Sequence, residues 1–411
     1  MVHSDIFVGL DIGSTKICVI VGRKNETGKI DIIGKGETPS SGLRKGVVVN
    51  IDSTVDSIKR AVKAAERMAA VEINSVCVGI AGGHIKSFNS KGLVAVKNKE
   101  VSKKDVDRAI ESATAIDIPI GCEVLHVIPQ QFILDSQGGI KNPIGMNGVR
   151  LEVDVHIVIG AVSSAQNIVR SCERAGISVD DIVLEQLASS DAVLLNDEKD
   201  IGVCLIDGGG GTTDIAVFRN GAVYHTAVLQ IGGNNFTRDL AIGINVPEHI
   251  AEKIKKEHGA VYDDIDEDNY EIEIPPIGGR SPRTISKQVL VQILQARAEE
   301  IFQMFLGELQ KKQLLELIGS GVVLTGGVAN MRGIADLAEI IFDLPVRVGR
   351  SVENVGGIVD IVDDPAYATG VGLVINAARR GHQKNKISKG SDEKVFTKVV
   401  ERMKSWFGEF F

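Results

Sequence analysis

The 411-residue sequence is short of several things. Aromatic residues make up only 4% of it, and prolines number 10. No apolar run approaches the roughly 18 to 20 residues that a bilayer-crossing helix needs, and MVHSDIFVGL does not read as a signal peptide. The formal charge of -8 offers no basic excess, which argues against nucleic acid as a main partner. Cysteines at 18, 77, 122, 172 and 204 are scattered, no pair has metal-site spacing, and an odd number of thiols suits a reducing compartment. What is abundant is glycine, 45 residues, in a chain that is 44% hydrophobic. That mixture excludes disorder or coiled coil for the whole chain, and the length argues for about two to four domains.

Strand and helix signals alternate from the start. Phe7 to Leu10, Lys16 to Gly22 and Ile30 to Gly34 read as strands, the first two joined by the turn Asp11-Ile12-Gly13-Ser14-Thr15. Asp52 or Ser53 is placed to cap a helix that puts Val55, Ile58, Val62, Ala65 and Met68 on one face, and Asn74 to Ala81 is the next strand. VGLDIGSTKICVIVG, beginning at Val8, is echoed by VCLIDGGGGTTDIAVF, beginning at Val203. Asp11 and Asp207 are 196 residues apart, so two similar α/β halves are expected, each opening on a hairpin. Between them, a helix capped by Ser102, a strand Val124 to Asp135 and the alternating run Arg150 to Ala161 predict a helix-on-sheet insert of roughly eighty residues. Helix Ser164 to Ala175, stopped by Gly176, returns to the first half. Further on come a helix Pro247 to Lys256, an acidic stretch Asp263 to Glu273 read as a solvated loop, and a long helix from Ser286 to about Glu316. A strand Gly321 to Leu324 and a last helix from Pro365 to near Arg380 complete the body.

Three Gly-rich turns follow strands: Gly13-Ser14-Thr15-Lys16, Gly208 to Thr213, and Gly326-Gly327-Val328. None has the spacing of a Walker loop or a dinucleotide fingerprint. Glycines let backbone N–H groups converge on phosphate oxygens, and Ser or Thr hydroxyls add donors. Lys16 could bring positive charge to a terminal phosphate, while Asp11 and Asp207 offer hard oxygens to hydrated Mg²⁺.

Asp207-Gly208-Gly209-Gly210-Gly211-Thr212-Thr213-Asp214 resembles the second phosphate loop of the actin and heat-shock-chaperone ATPase superfamily. Leu10 to Lys16 resembles its first phosphate loop, Leu324 to Val328 its adenosine motif, and Ala251-Glu252-Lys253-Ile254-Lys255 the nucleotide-side helix of bacterial actins. Within that superfamily, His126-Val127-Ile128-Pro129-Gln130, Gly139 to Pro143 and Gly148-Val149-Arg150-Leu151 resemble FtsA, the bacterial cell-division actin homologue.

The resemblance implies an α/β actin-like ATPase fold, two RNase H-like halves around a nucleotide cleft, with an inserted α+β subdomain 1C and a C-terminal amphipathic helix. It implies subdomain 1A at 1–82 and 163–198, 1C at 83–162, 2A at 199–231 and 311–355, 2B at 232–310, and a return helix at 356–380. Gly13, Ser14, Thr15 and Lys16 with Gly209, Gly210, Gly211, Thr212 and Thr213 would cradle the phosphates of ATP. Gly326, Gly327 and Val328 would line the adenosine, Glu252 and Lys255 flank ribose and adenine, and Asp11 and Asp207 hold Mg²⁺ through water. Glu185 or Gln186, in Leu184-Glu185-Gln186-Leu187, occupies the segment where relatives place the group beside the attacking water. MreB-like proteins read Glu-Glu-Pro there and this chain has no proline, so weak ATPase activity at most is expected.

Five of the few aromatics lie in the last sixteen residues. After a polar linker at 381–393, a helix at 394–411 would carry Val395, Phe396, Val399, Val400, Met403, Trp406, Phe407, Phe410 and Phe411 on one stripe. From Arg379 onward nine basic side chains face four acidic ones, so the negative charge lies in the body. A basic, aromatic-rich amphipathic helix fits an anionic lipid surface at the cytoplasmic face of the membrane. The resemblance adds FtsZ, through its C-terminal peptide on 2B, with Arg280, Arg283 and Lys287 as basic contacts. It also adds self-assembly into filaments at the septum and recruitment of later division proteins through 1C. The competing readings are a PilM-like pilus adaptor and, less well supported, a sugar- or acetate-kinase-type phosphotransferase.

Overall fold

The computed structural model describes residues 6–262, 270–276, 282–351 and 355–380. In the first half, Ile6–Ile12, Lys16–Lys24 and Ile30–Pro39 form an antiparallel meander. Ser75–Ile80 then adds in parallel beside Ile6–Ile12, and Ser178–Leu184 in parallel beside that. The second half repeats this plan: Val203–Gly208, Thr213–Arg219 and Ala222–Leu229 form the meander, and Val322–Thr325 and Val346–Val348 add in parallel. The first sheet has one further short strand, Gly356–Gly357, parallel to Ile30–Pro39. Apart from it the two sheets share one topology, with helices filling the crossovers, and are the two RNase H-like halves of an actin-like ATPase fold.

Alternation along the strands divides the core. Cys204, Ile206, Ile215 and Val217 pack with the helices of the second half, while Leu205, Ala216 and Phe218 turn the other way and join the core of the first. The halves therefore share apolar contact. The first-half helix Ile51–Ala69 starts earlier than either expected cap, because Asn50 accepts the Ser53 N–H at 3.0 Å. Helix Lys287–Lys311 stops short of Glu316, where Gln313 takes a left-handed φ of 55° although apolar residues continue. Part of the expected acidic loop is strand: Glu271–Ile274 alternates Glu outward and Ile272 and Ile274 inward, paired with Arg283–Ser286. Residues 263–269 of that stretch lie outside the described residues.

The insert is a four-stranded antiparallel sheet, Lys86–Ala95, Arg150–Ala161, Cys122–Leu134 and Gln137–Ile140, with helix Lys103–Thr114 on one face. Leu151, Val153, Val155, Ile157 and Ile159 are all buried, as their alternation predicts. Its polar side chains dock on the edge strand Ala222–Leu229 of the second half. Ser87 Oγ donates to the Thr226 carbonyl at 2.8 Å, Gln130 Nε2 to Val223 at 2.8 Å, and Asn89 Nδ2 to Tyr224 at 3.2 Å. Against the first half, buried His126 accepts the Leu184 N–H on Nε2 at 3.1 Å. The linker and the whole expected amphipathic helix, 381–411, lie outside the described residues.

Candidate functional site: a cleft between two glycine-rich turns

Each half ends its first hairpin in a tight turn, and the two turns face one another. Gly13 N–H donates to the Lys16 carbonyl at 3.0 Å, and Gly209 N–H donates to that of Thr212 at 2.9 Å. A Cβ on Gly210 would lie 1.8 Å from Thr15 Oγ1, and one on Gly211 would lie 2.5 Å from Ser14 Oγ. Only residues without a side chain allow this approach. Gly326, with φ of 80°, closes the third side, where a Cβ would meet Asp207 Oδ1 at 2.4 Å. Between the turns is a cavity of about 580 Å³, within the usual range for a small-molecule site.

Asp11, Gly13, Ser14, Thr15, Lys16, Glu185 and Asp207 line it, as do Gly209, Gly210, Gly211, Thr212, Glu252, Lys255, Gly326, Gly327 and Val328. Two expected residues do not. Thr213 turns away and donates its hydroxyl to the Ile231 carbonyl at 2.8 Å. Gln186 is fully buried behind the wall, with neither amide atom hydrogen-bonded. Of the expected acidic-peptide contacts on the second half, Lys287 is only 3% exposed and Arg283 donates to the Ile244 and Asn245 carbonyls. Arg280 lies outside the described residues.

The electrostatics of the floor are lopsided. Burial pushes the Asp11 carboxyl up to about 6, opposed by Lys16 and helped by Asp207 and Glu37. Burial also raises Asp207, against hydrogen bonds from Ser189 Oγ at 2.5 Å and Thr369 Oγ1 at 3.3 Å. Asp214 and Glu185 are held well above the carboxylate range, by burial first and then by their acidic neighbours. Asp214 was not expected as a lining group, and its Oδ1 has no hydrogen-bond partner. The signal was the closing Asp of the second-turn motif. Four carboxylates beside one ammonium make a site for a cation and an anion together. Among the described residues no three side chains converge to ligate a metal directly.

At the far end, on helix Glu248–His258, Lys255 Nζ bonds Glu252 Oε2 at 2.6 Å and also Thr237 Oγ1 and the Gly233 carbonyl. Burial alone would raise Glu252, but Lys255, Thr237 and Lys256 together hold its carboxylate below the usual range. Glu37, Asn234, Asn330, Asp364 and Tyr367 also reach the cavity and carried no sequence motif.

The family model described as "Cell division protein FtsA" matches residues 204–372, and that of the "SHS2 domain inserted in FTSA" matches 82–159. The cell division protein FtsA of Pseudomonas aeruginosa is 44% identical, over 98% of this chain and 97% of the relative. The chain belongs to the FtsA family. It is an actin-like cell-division protein. The FtsA of Neisseria meningitidis is 48% identical over 90% and 89% of the two chains, and that of Escherichia coli 37% over 99% and 98%. Among solved structures, the PilM-PilN type IV pilus biogenesis complex superposes with a TM-score of 0.68 at 16% identity, covering 90% of this chain and 98% of that one. MreB5 of Spiroplasma citri bound to ADP gives 0.57 at 16% identity, covering 92% and 99%. At such identities the FtsA-family chain shares a fold with these proteins, and nothing further follows from them. No helix among the described residues is long and apolar enough to cross a membrane.

Proposed function

We propose that the chain binds ATP with Mg²⁺ in this cleft, polymerises at the cytoplasmic face of the membrane and tethers FtsZ filaments there. The observation that supports the nucleotide is the close meeting of Gly210 with Thr15 and of Gly211 with Ser14, which leaves no room for a side chain at 210 or 211 and brings the two turns to one cavity. Backbone N–H groups and hydroxyls of 13–15 and 209–212 would hold the phosphates, and Lys16 would balance their charge. Asp11 and Asp207 would hold Mg²⁺ through water, which supplies the positive charge that the acidic floor lacks. Gly326, Gly327 and Val328 would flank the adenosine, with Glu252 and Lys255 beside the ribose and adenine.

Glu185 is the carboxyl nearest in role to the water-side group of relatives. Burial first and then Asp11, Asp214 and Asp207 hold its carboxyl well above the ordinary range, and the missing proline of the Glu-Glu-Pro segment is what favours slow turnover. The tail stripe Phe396, Val399, Val400, Met403, Trp406, Phe407, Phe410 and Phe411 would bind anionic lipid reversibly, and several tails on one polymer would hold firmly. The second half would take the FtsZ C-terminal peptide, and the insert would receive later division proteins.

Melting with saturating Mg·ATP tests the cleft: stabilisation of about 3 kcal/mol is expected at a hundredfold excess over Kd, and none would remove the nucleotide. Trp406→Glu should abolish pelleting with anionic liposomes, and undiminished pelleting rules this anchor out. Negative-stain microscopy on an anionic monolayer with ATP should show filaments, and FtsZ filaments should join them.

A further inference from the structure

The strand pairing Cys18 with Glu37 and Ile20 with Lys35 places Lys16, Glu37 and Lys35 on one face of the first sheet. Tyr367 lies across all three. Its ring centroid is 3.8 Å from Lys16 Nζ and 3.9 Å from Lys35 Nζ, and its hydroxyl donates to Glu37 Oε2 at 2.8 Å. Burial and Glu37 hold the phenol well above its ordinary range, so the hydroxyl stays a donor. The ring itself is fixed by its place in the chain. Tyr367 ends the short turn Pro365–Tyr367, whose Pro365 carbonyl accepts the Gly326 N–H at 3.2 Å. Asp364 beside it accepts from Asn330 Nδ2 at 2.7 Å.

The two ammonium groups on the ring are not equivalent. Lys35 is tied to the Ile361 carbonyl at 2.7 Å. The Lys16 ammonium makes no hydrogen bond or ion pair among the described residues, and it lines the cavity between the first turn and the acidic floor. The Tyr367 ring is the group in direct contact with this ammonium, while the charges of Asp11 and Asp207 attract it from further off. A cation on a ring is held more strongly as water is excluded.

We propose that Tyr367 is a positioning residue whose ring holds the Lys16 ammonium at the phosphate end of the cavity, so that the site prefers a triphosphate to a diphosphate. This rests on the nucleotide reading above. In Tyr367→Leu the ammonium loses its support and is free to swing toward Asp11 or solvent. In Tyr367→Phe the ring remains and only the bond to Glu37 is lost.

The test is calorimetric titration of the full chain with Mg·ATP, Mg·ADP and AMP. Tyr367→Leu should weaken ATP about tenfold, as expected for a partly desolvated cation on a ring, and ADP less than twofold, with AMP unchanged. Tyr367→Phe should keep the wild-type ratio of ATP to ADP affinity. Equal losses for ATP and ADP, or a Phe variant as impaired as the Leu one, would show that the ring only supports the fold and would overturn the proposal. Tyr367→Met, closer in volume, replaces the Leu variant if that one is unfolded at the assay temperature, with the same ratio read. Wild-type protein that binds neither ATP nor ADP would bring down the nucleotide reading and this inference together. Wild-type preference for ATP that survives in the Leu variant would bring down this inference alone.

Discussion

The first turn and the second make the same backbone bond, Gly13 N–H to the Lys16 carbonyl and Gly209 N–H to that of Thr212, and then present opposite charges. At a constant offset of 196 residues, Asp11 answers to Asp207, but Lys16 answers to Thr212 and Cys18 to Asp214. One turn supplies the ammonium and the other an extra buried carboxylate. A repeated backbone device leaves its side chains free to divide the electrostatic work, here between the anion and the cation of one ligand pair.

The comparison breaks most completely if the two turns are forced apart. Gly210→Val would drive its side chain into Thr15, and calorimetry should show nucleotide affinity reduced by about a hundredfold or more. Lys16→Met removes the ammonium that only the first turn has. Loss of one charge-assisted contact of about 2 kcal/mol should weaken ATP roughly thirtyfold, read in the same titration. Asp214→Asn, on the other turn, should act in the opposite sense on the empty protein. Replacing a carboxyl whose ionisation burial and Asp207 oppose raises the melting temperature without ligand while shrinking the further rise on adding Mg·ATP.

Acidity separates the turns more gently. Asp11 titrates at about 6 when folded and near its ordinary 3.8 when unfolded, so its favourable contribution is full below about 4 and lost as pH rises through 6. Asp11→Asn should therefore stabilise the ligand-free protein at pH 7.5 by up to roughly 3 kcal/mol and have little effect near pH 3.5, as thermal melts across that window would show. The smallest effect belongs to the end away from both turns. Glu252→Gln should lower ATP and ADP affinity equally, about twofold to fivefold, because the largely buried pair it breaks touches neither phosphate loop.

Much of the division between the halves was legible because the offset of 196 carries strand, turn and strand in register. What escaped is physical rather than accidental. Thr212 and Thr213 are neighbours, and whichever begins the strand decides which one faces the cavity, but a run of four glycines hides that starting point. Glu37 and Tyr367 meet across 330 residues, brought together by a sheet face and a short turn that no local period announces. The end of helix Lys287–Lys311 was hidden in the same way, because left-handed Gln313 stops it within an apolar pattern that runs on to Leu315. Asn50 escaped because a cap is a matter of one side-chain bond, and Asp52 and Ser53 offered equally good chemistry two and three residues on.

The docking of Ser87, Asn89 and Gln130 on the strand Ala222–Leu229 has a consequence for how the chain is made. An uncovered strand edge is a template for joining another molecule. A ribosome delivers residues 83–162 well before that strand, and domains fold as they emerge. The residues that cover the edge are therefore already made when the edge they protect is synthesised, an order that shortens the time the strand spends without its cover.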